Sequence, residues 1–120
     1  MLIVIASPRS QQLGTFLAQL KRLKGCELVF APTASATLEI VRTGAPAFAI
    51  IDEGLPDADP LKLVTDIMMV NAMVNTAVVS PLTDEEFHEA SEGLGILAAI
   101  PPTPDEEDGK RIAEIFSRFV

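Results

Sequence analysis

The sequence predicts an α/β fold, (βα)5, in which five parallel strands alternate with five helices. Five short segments are predicted to be strands, and two of them, residues 2–6 and 47–51, are continuous apolar runs typical of strands buried on both faces of a sheet. The five segments cover residues 2–6, 26–31, 47–51, 76–80 and 96–100. Amphipathic segments follow them. Such alternation implies a parallel sheet covered by helices on both faces and joined by right-handed crossovers.

The helices are predicted from apolar residues that recur on one face. In the first two helices these residues are Leu13, Phe16, Leu17, Leu20, Leu38 and Val41. In the third and fifth they are Leu61, Val64, Ile67, Met68, Ile112, Ile115, Phe116 and Phe119. Core filling is the expected role of Met68, Met69 and Met73, although methionine also suits adaptable partner surfaces.

Helix ends are predicted from capping residues. Ser35 is the expected N-cap of the second helix, which should end at Gly44. Asp59 with Pro60 should begin the third helix. Capping boxes should begin the fourth and fifth helices, at Thr83–Glu86 and at Thr103–Glu106, the latter with proline at the first helical position.

Composition limits the function classes. At 120 residues, one domain over residues 1–120 is expected. The net charge of −8 argues against a nucleic-acid surface, which needs clustered Lys and Arg. The one cysteine, Cys26, is expected to be buried and fits a reducing compartment. No signal-like or membrane-spanning segment is recognised, so we expect a cytoplasmic domain that does not contact the membrane.

The central apolar run at residues 47–51 ends at Asp52. A carboxylate at the C-terminal end of a central parallel strand lies where open α/β sheets form their ligand crevice. The alternative is that Asp52 simply ends the strand. His88 has no second ligand-type residue nearby and is expected to be solvated.

Three groups of residues give the chain a resemblance to the receiver domains of bacterial two-component response regulators. They are Ile50-Ile51-Asp52 followed by Leu55-Pro56-Asp57, then Val78-Val79-Ser80, and Gly93 followed eight residues later by Pro101. The resemblance implies the flavodoxin-like strand order 2-1-3-4-5. It also implies that Asp52 is the phosphoacceptor, that Ser80 and Pro101 belong to the phosphate switch, and that the Gly54 carbonyl contacts a metal ion.

Other positions depart from the receiver pattern. Ala6 and Ser7 stand where the family has two acidic metal ligands, Ile100 stands in place of the lysine, and Leu97 in place of the switch aromatic. Mg²⁺ prefers hard oxygen ligands, so Asp52 and Gly54 alone should bind it weakly or not at all. We expect no cofactor, and Mg²⁺ only if the missing carboxylates are restored. Two alternatives stay open for Arg9: it covers the pocket as a substitute cation, or it is an ordinary surface residue.

The resemblance therefore predicts a degenerate receiver, a non-enzymatic interaction module whose partners are a histidine kinase, a phosphotransfer protein or an output domain. One alternative is a functional phosphoacceptor with a substituted metal site. Another is a small flavodoxin-like cofactor-binding protein, although residues 7–10 contain no glycine for a phosphate loop.

Two alternatives stay open for the surface of the fourth helix, fifth strand and fifth helix: it forms a homodimer, or it presents two solvated helix faces with ordinary charge complementarity. Acidic residues cluster on the fourth helix and basic residues on the fifth. These residues are Asp84, Glu85, Glu86, Glu89, Lys110, Arg111 and Arg118. A two-fold contact would bring each cluster against its opposite on a second copy.

Overall fold

The computed structural model describes residues 1–119, which form one parallel sheet of five strands with five α-helices. The strands are β1 (Leu2–Ala6), β2 (Glu27–Ala31), β3 (Phe48–Ile51), β4 (Asn75–Val79) and β5 (Ala98–Ile100). The α-helices are α1 (Gly14–Leu20), α2 (Ala34–Gly44), α3 (Pro60–Val70), α4 (Asp84–Ala90) and α5 (Glu106–Ser117). A 3-10 turn, Ser10–Leu13, leads into α1.

The sheet order is β2-β1-β3-β4-β5, and every neighbouring pair is parallel. This is the flavodoxin-like order that the resemblance to receiver domains implies. The central strands β1 and β3 are buried along almost their whole length because helices cover both faces. Alternate residues of each strand therefore enter two separate apolar clusters.

One cluster lies under α1 and α5, and the other lies under α2, α3 and α4. In the first, the rings of Phe48 and Phe116 stack with centroids 4.1 Å apart. Gly109 brings α5 against α1 so closely that a Cβ there would lie 2.6 Å from the carbonyl oxygen of Phe16. In the second cluster, α4 contributes a single buried residue, Phe87.

Several helix ends differ from the sequence prediction. Thr33, not Ser35, caps α2 by accepting a hydrogen bond from the Ala36 N–H. Gly44 is the last residue of α2, but Ala45 takes the left-handed conformation that follows it. The capping box of α5 is formed by Asp105 and Asp108, so Thr103–Glu106 is not the box. The predicted caps at Asp59 and at Thr83–Glu86 are confirmed.

Three methionines and the end of α5 are more exposed than predicted. Met69 and Met73 are 81% and 83% exposed, so they do not fill the core, and Met68 is only partly covered. Phe119 is exposed because α5 ends at Ser117, before the predicted face is complete. Cys26 is half-buried rather than fully buried.

Candidate functional site

Asp52 lies at the carboxyl edge of the sheet, directly after β3. Its N–H donates to the carbonyl oxygen of Ala6, the last residue of β1, over 2.8 Å. Ile51 pairs with both Ala6 and Val78, so the ends of β1, β3 and β4 meet at this edge. Asp52 itself is fully buried. A buried carboxylate requires partners, because an uncompensated charge is costly to remove from water.

Four donors satisfy the Asp52 carboxylate. Oδ2 accepts from the Ser7 hydroxyl over 2.6 Å and from Arg9 Nε over 2.8 Å. Oδ1 accepts from Arg9 Nη2 over 3.0 Å and from the Glu53 N–H over 2.8 Å. Two of these bonds form a bidentate guanidinium–carboxylate pair, the strongest geometry available to these groups. Both carboxylate oxygens are therefore engaged.

Arg9 is held over Asp52 by contacts on both sides of the pocket. Its N–H donates to Ser7 Oγ over 3.1 Å, and its Nη2 also donates to the carbonyl oxygen of Pro102 over 2.6 Å. The hydrogen bond to Asp52 is the main cause that raises the pKa of Arg9 above its ordinary value. Of the two alternatives for Arg9, the structure shows the one that covers the pocket. Its guanidinium links the segment after β1 to the segment before α5.

The residues around Asp52 do not fit a divalent metal ion. Ala6 belongs to the apolar cluster under α2 and α3, and Ser7 donates its hydroxyl hydrogen to Asp52. Within residues 1–119, no three acidic, histidine or cysteine side chains converge on a common point. Gly54 adopts a left-handed φ of 80° and is exposed, but a lone carbonyl would leave Mg²⁺ far short of its preferred ligands. The guanidinium already places a positive charge on Asp52.

The predicted switch residues lie along the neighbouring strand ends. Ser80 follows β4, where its N–H donates to the Ile100 carbonyl over 2.9 Å and its Oγ accepts from the Leu82 N–H over 3.2 Å. Ile100 is fully buried in the cluster under α1 and α5, and Leu97 packs partly buried against the same cluster. Pro101 is half-buried. Ile100 and Leu97, which stand where the receiver pattern has its lysine and its aromatic residue, thus pack in the apolar cluster.

Two contacts near Asp52 and its loop could not be predicted from the sequence. Asp57 accepts from the N–H groups of Ala34 and Ser35 over 2.7 and 3.0 Å, which lowers its pKa below the ordinary value. The Pro102 carbonyl receives Arg9. Both pairs join distant segments, and an aspartate or a carbonyl in a loop gives no local signal of such a partner. His88 is exposed, as predicted.

No helix in the described part of the chain is long and apolar enough to cross a membrane. No protein-family model matches the sequence, and no curated protein sequence matches it either.

The fold matches solved receiver structures over nearly the whole chain. A CheY-like receiver domain protein of Methanospirillum hungatei JF-1 is 20% identical with a TM-score of 0.76, covering 98% of this chain and 95% of that one. The receiver domain of the Francisella response regulator 1452 is 14% identical with a TM-score of 0.78, and the match covers 99% of this chain and 98% of that one. A LuxR-family two-component response regulator of Aurantimonas sp. SI85-9A1 is 13% identical with a TM-score of 0.81, and the match covers 98% of this chain and 85% of that one. The chain has the fold of response-regulator receiver domains.

Proposed function

We propose that this chain is a degenerate receiver domain of two-component signalling, a non-enzymatic protein-interaction module in which Asp52 is phosphorylated weakly or not at all. The observation that supports the proposal is the bidentate pair between Arg9 and the fully buried Asp52. A phosphoacceptor must present a free oxygen lone pair to phosphorus, and both Asp52 oxygens already accept two hydrogen bonds.

Phosphoryl transfer depends on positioning and on neutralising the charge of the transferred group. Here Ile100 replaces the lysine of the receiver pattern, and Ala6 and Ser7 replace its acidic pair. The positive charge near Asp52 comes from Arg9, and its guanidinium neutralises the Asp52 carboxylate instead of an incoming phosphoryl group. The pair holds three segments together without a phosphoryl group, since Arg9 also bonds to the Pro102 carbonyl. The domain would then present one constant surface to its partners.

Acetyl phosphate with Mg²⁺, read by intact-protein mass, tests the proposal. We expect no phosphoryl adduct on the wild-type chain. The double variant Ser7→Asp/Arg9→Ala restores one carboxylate and frees Asp52, so it should gain an adduct that Asp52→Asn abolishes. Adding Ala6→Asp restores the second carboxylate, but Ala6 is buried among apolar side chains, so this variant needs a folding check. A wild-type adduct on Asp52 would instead support the functional phosphoacceptor.

The proposed partners are a histidine kinase, a phosphotransfer protein or an output domain, in the cytoplasm. Self-association through α4, β5 and α5 stays a prediction. Basic residues in and just after α5 lie near acidic residues of the helix. Lys110 Nζ is 3.3 Å from Glu107 Oε1, and Arg118 Nη2 is 3.3 Å from Glu114 Oε1. Such exposed pairs contribute about 0–1 kcal/mol each, so a dimer would need apolar contacts as well. Sedimentation of the wild type and of Lys110→Glu/Arg111→Glu over a concentration series decides between dimer and monomer.

A further inference from the structure

An apolar groove of about 680 Å³ opens between the β3–α3 loop and the start of α4. Its lining is mainly apolar and includes Leu55, Leu61, Val78, Leu82 and Phe87. Leu82, between β4 and α4, is 40% exposed. The groove lies on the face opposite α1 and α5, where α4 has Phe87 as its buried residue. A recess with a mainly apolar lining and a few polar groups is a candidate binding site.

The loop that forms one wall of the groove is fastened at three points. At its start, the Glu53 N–H donates to the Asp52 carboxylate over 2.8 Å. In its middle, Asp57 accepts from two backbone N–H groups at the start of α2. At its end, Asp59 caps α3, its carboxylate accepting from the Lys62 N–H. A wall fixed in this way is preorganised, so a ligand does not have to order it on binding.

The opposite wall is also defined by local bonds. Ser80 Oγ accepts from the Leu82 N–H, which shapes the turn that carries Leu82. The capping box of Thr83 and Glu86 then begins α4. Phe87, in the first full turn after that box, lines the groove while packing on the core.

The surroundings of the groove carry negative charge. Glu53 and Asp59 line it, and no Lys or Arg does. Within residues 1–119, neither of these two carboxylates forms an ion pair. Lys62, on α3, is paired with Asp66. Charge complementarity therefore favours a cationic occupant.

We propose that this groove binds a basic amphipathic helix of a partner protein. Apolar side chains at i, i+4 and i+7 would enter between Leu61 and Leu82, and flanking Lys or Arg would face Glu53 and Asp59. The inference rests on the proposed role as an interaction module, and it names the chemistry of the partner. The bonds from Asp52 and Asp57 to the loop keep the groove formed without a phosphoryl group.

The test is titration of the labelled domain with a synthetic peptide of about 18 residues that has Leu at i, i+4 and i+7, Lys at the flanking positions, and Ala elsewhere to favour the helix. Amide chemical shifts report where the peptide binds. We expect saturable shifts concentrated at residues 53–61 and 78–87. Leu82→Asp should weaken binding by about tenfold, because it places a carboxylate where an apolar anchor enters. Met69→Asp, a change of the same kind on the exposed side of α3, should leave affinity unchanged within about twofold.

Charge is tested separately. Glu53→Gln removes a charge that lines the groove and should weaken binding several-fold, whereas Glu107→Gln removes the same charge from α5 and should have little effect. A peptide with Glu in place of Lys should not bind.

Equal shifts with a scrambled Leu/Lys peptide, shifts centred on α5 or on the methionines, or concentration-dependent shifts without peptide would each overturn the proposal. The readout does not involve Asp52 chemistry. A phosphorylated Asp52 with a working groove would therefore refute only the proposed function, and an unphosphorylated domain with no groove binding would refute only this inference.

Discussion

The two faces of the sheet differ in how closely their last helices, α5 and α4, pack against the rest of the molecule. On the α1/α5 face, Gly109 lets two helices approach to backbone contact, and Phe116 stacks on Phe48 of the central strand. On the other face, α4 is attached through Phe87 and borders an open groove. Close packing leaves no room for a ligand, whereas the recess beside α4 does. We therefore expect α5 to contribute more to stability than α4, and the proposed binding site lies beside α4.

The largest expected effect comes from removing one phenylalanine from each face. Phe116→Ala should lower the free energy of unfolding by about 3–5 kcal/mol, because it leaves a closed cavity in the core. Phe87→Ala should cost distinctly less, because its space joins a groove that is already open to solvent. Urea unfolding of both variants and the wild type measures the difference. Equal losses would mean that α4 is anchored as firmly as α5, and the comparison would fail.

A glycine pair sharpens the same point. Gly109→Ala should destabilise by about 1–3 kcal/mol despite the better helix propensity of alanine, because the new Cβ would lie 2.6 Å from the Phe16 carbonyl oxygen. Gly14→Ala is the matched control, since nothing lies within 4 Å of its Cβ. It should be neutral or stabilise by up to about 1 kcal/mol. A stabilising Gly109→Ala would show that α1 and α5 can separate without cost.

The fold follows from local sequence patterns, and the site does not. Continuous apolar runs and helical periodicity are properties of neighbouring residues, so the five strands and helices are predictable from them. Helix ends are less predictable from the sequence, because two capping residues often stand close together. Thr33 and Ser35 are both candidates for the N-cap of α2, and Thr103 and Asp105 for that of α5. The exposed methionines show a further limit. Periodicity predicts which side of α3 is apolar, but not how much of that side the rest of the fold covers.

The environment of Asp52 depends on contacts between distant segments. Its position at the strand end is readable from the sequence, as is the loss of the acidic pair at Ala6 and Ser7. That loss leaves a carboxylate without a cation and makes Arg9, two residues after Ser7, the nearest candidate. Whether its guanidinium reaches Asp52 depends on the conformation of the loop and on the Pro102 carbonyl, which stands 93 residues away in the chain. Neither gives a signal in the sequence.

The smallest expected effect concerns the wall of the groove. Asp57→Asn keeps one acceptor but loses the charge that faces the N–H groups of Ala34 and Ser35, so we expect a small drop in the thermal unfolding midpoint at neutral pH. The pKa of Asp57 is lower in the folded chain than in the unfolded chain, where it is about 3.9. The contribution of Asp57 to folding stability is therefore fully present above about pH 3.9, and it is lost as the pH falls through the pKa of the folded chain.

The difference between the wild type and Asp57→Asn should therefore be constant from neutral pH down to about pH 5 and vanish below the folded pKa. Thermal unfolding across this range measures it, with Glu92→Gln, an exposed change outside the groove, as the control. A difference that persists in acid would show that hydrogen-bond geometry, and not charge, ties the loop to α2. If the midpoint does not change at any pH, the loop is held by Asp52 and Asp59 alone, and the groove wall is fastened at two points instead of three.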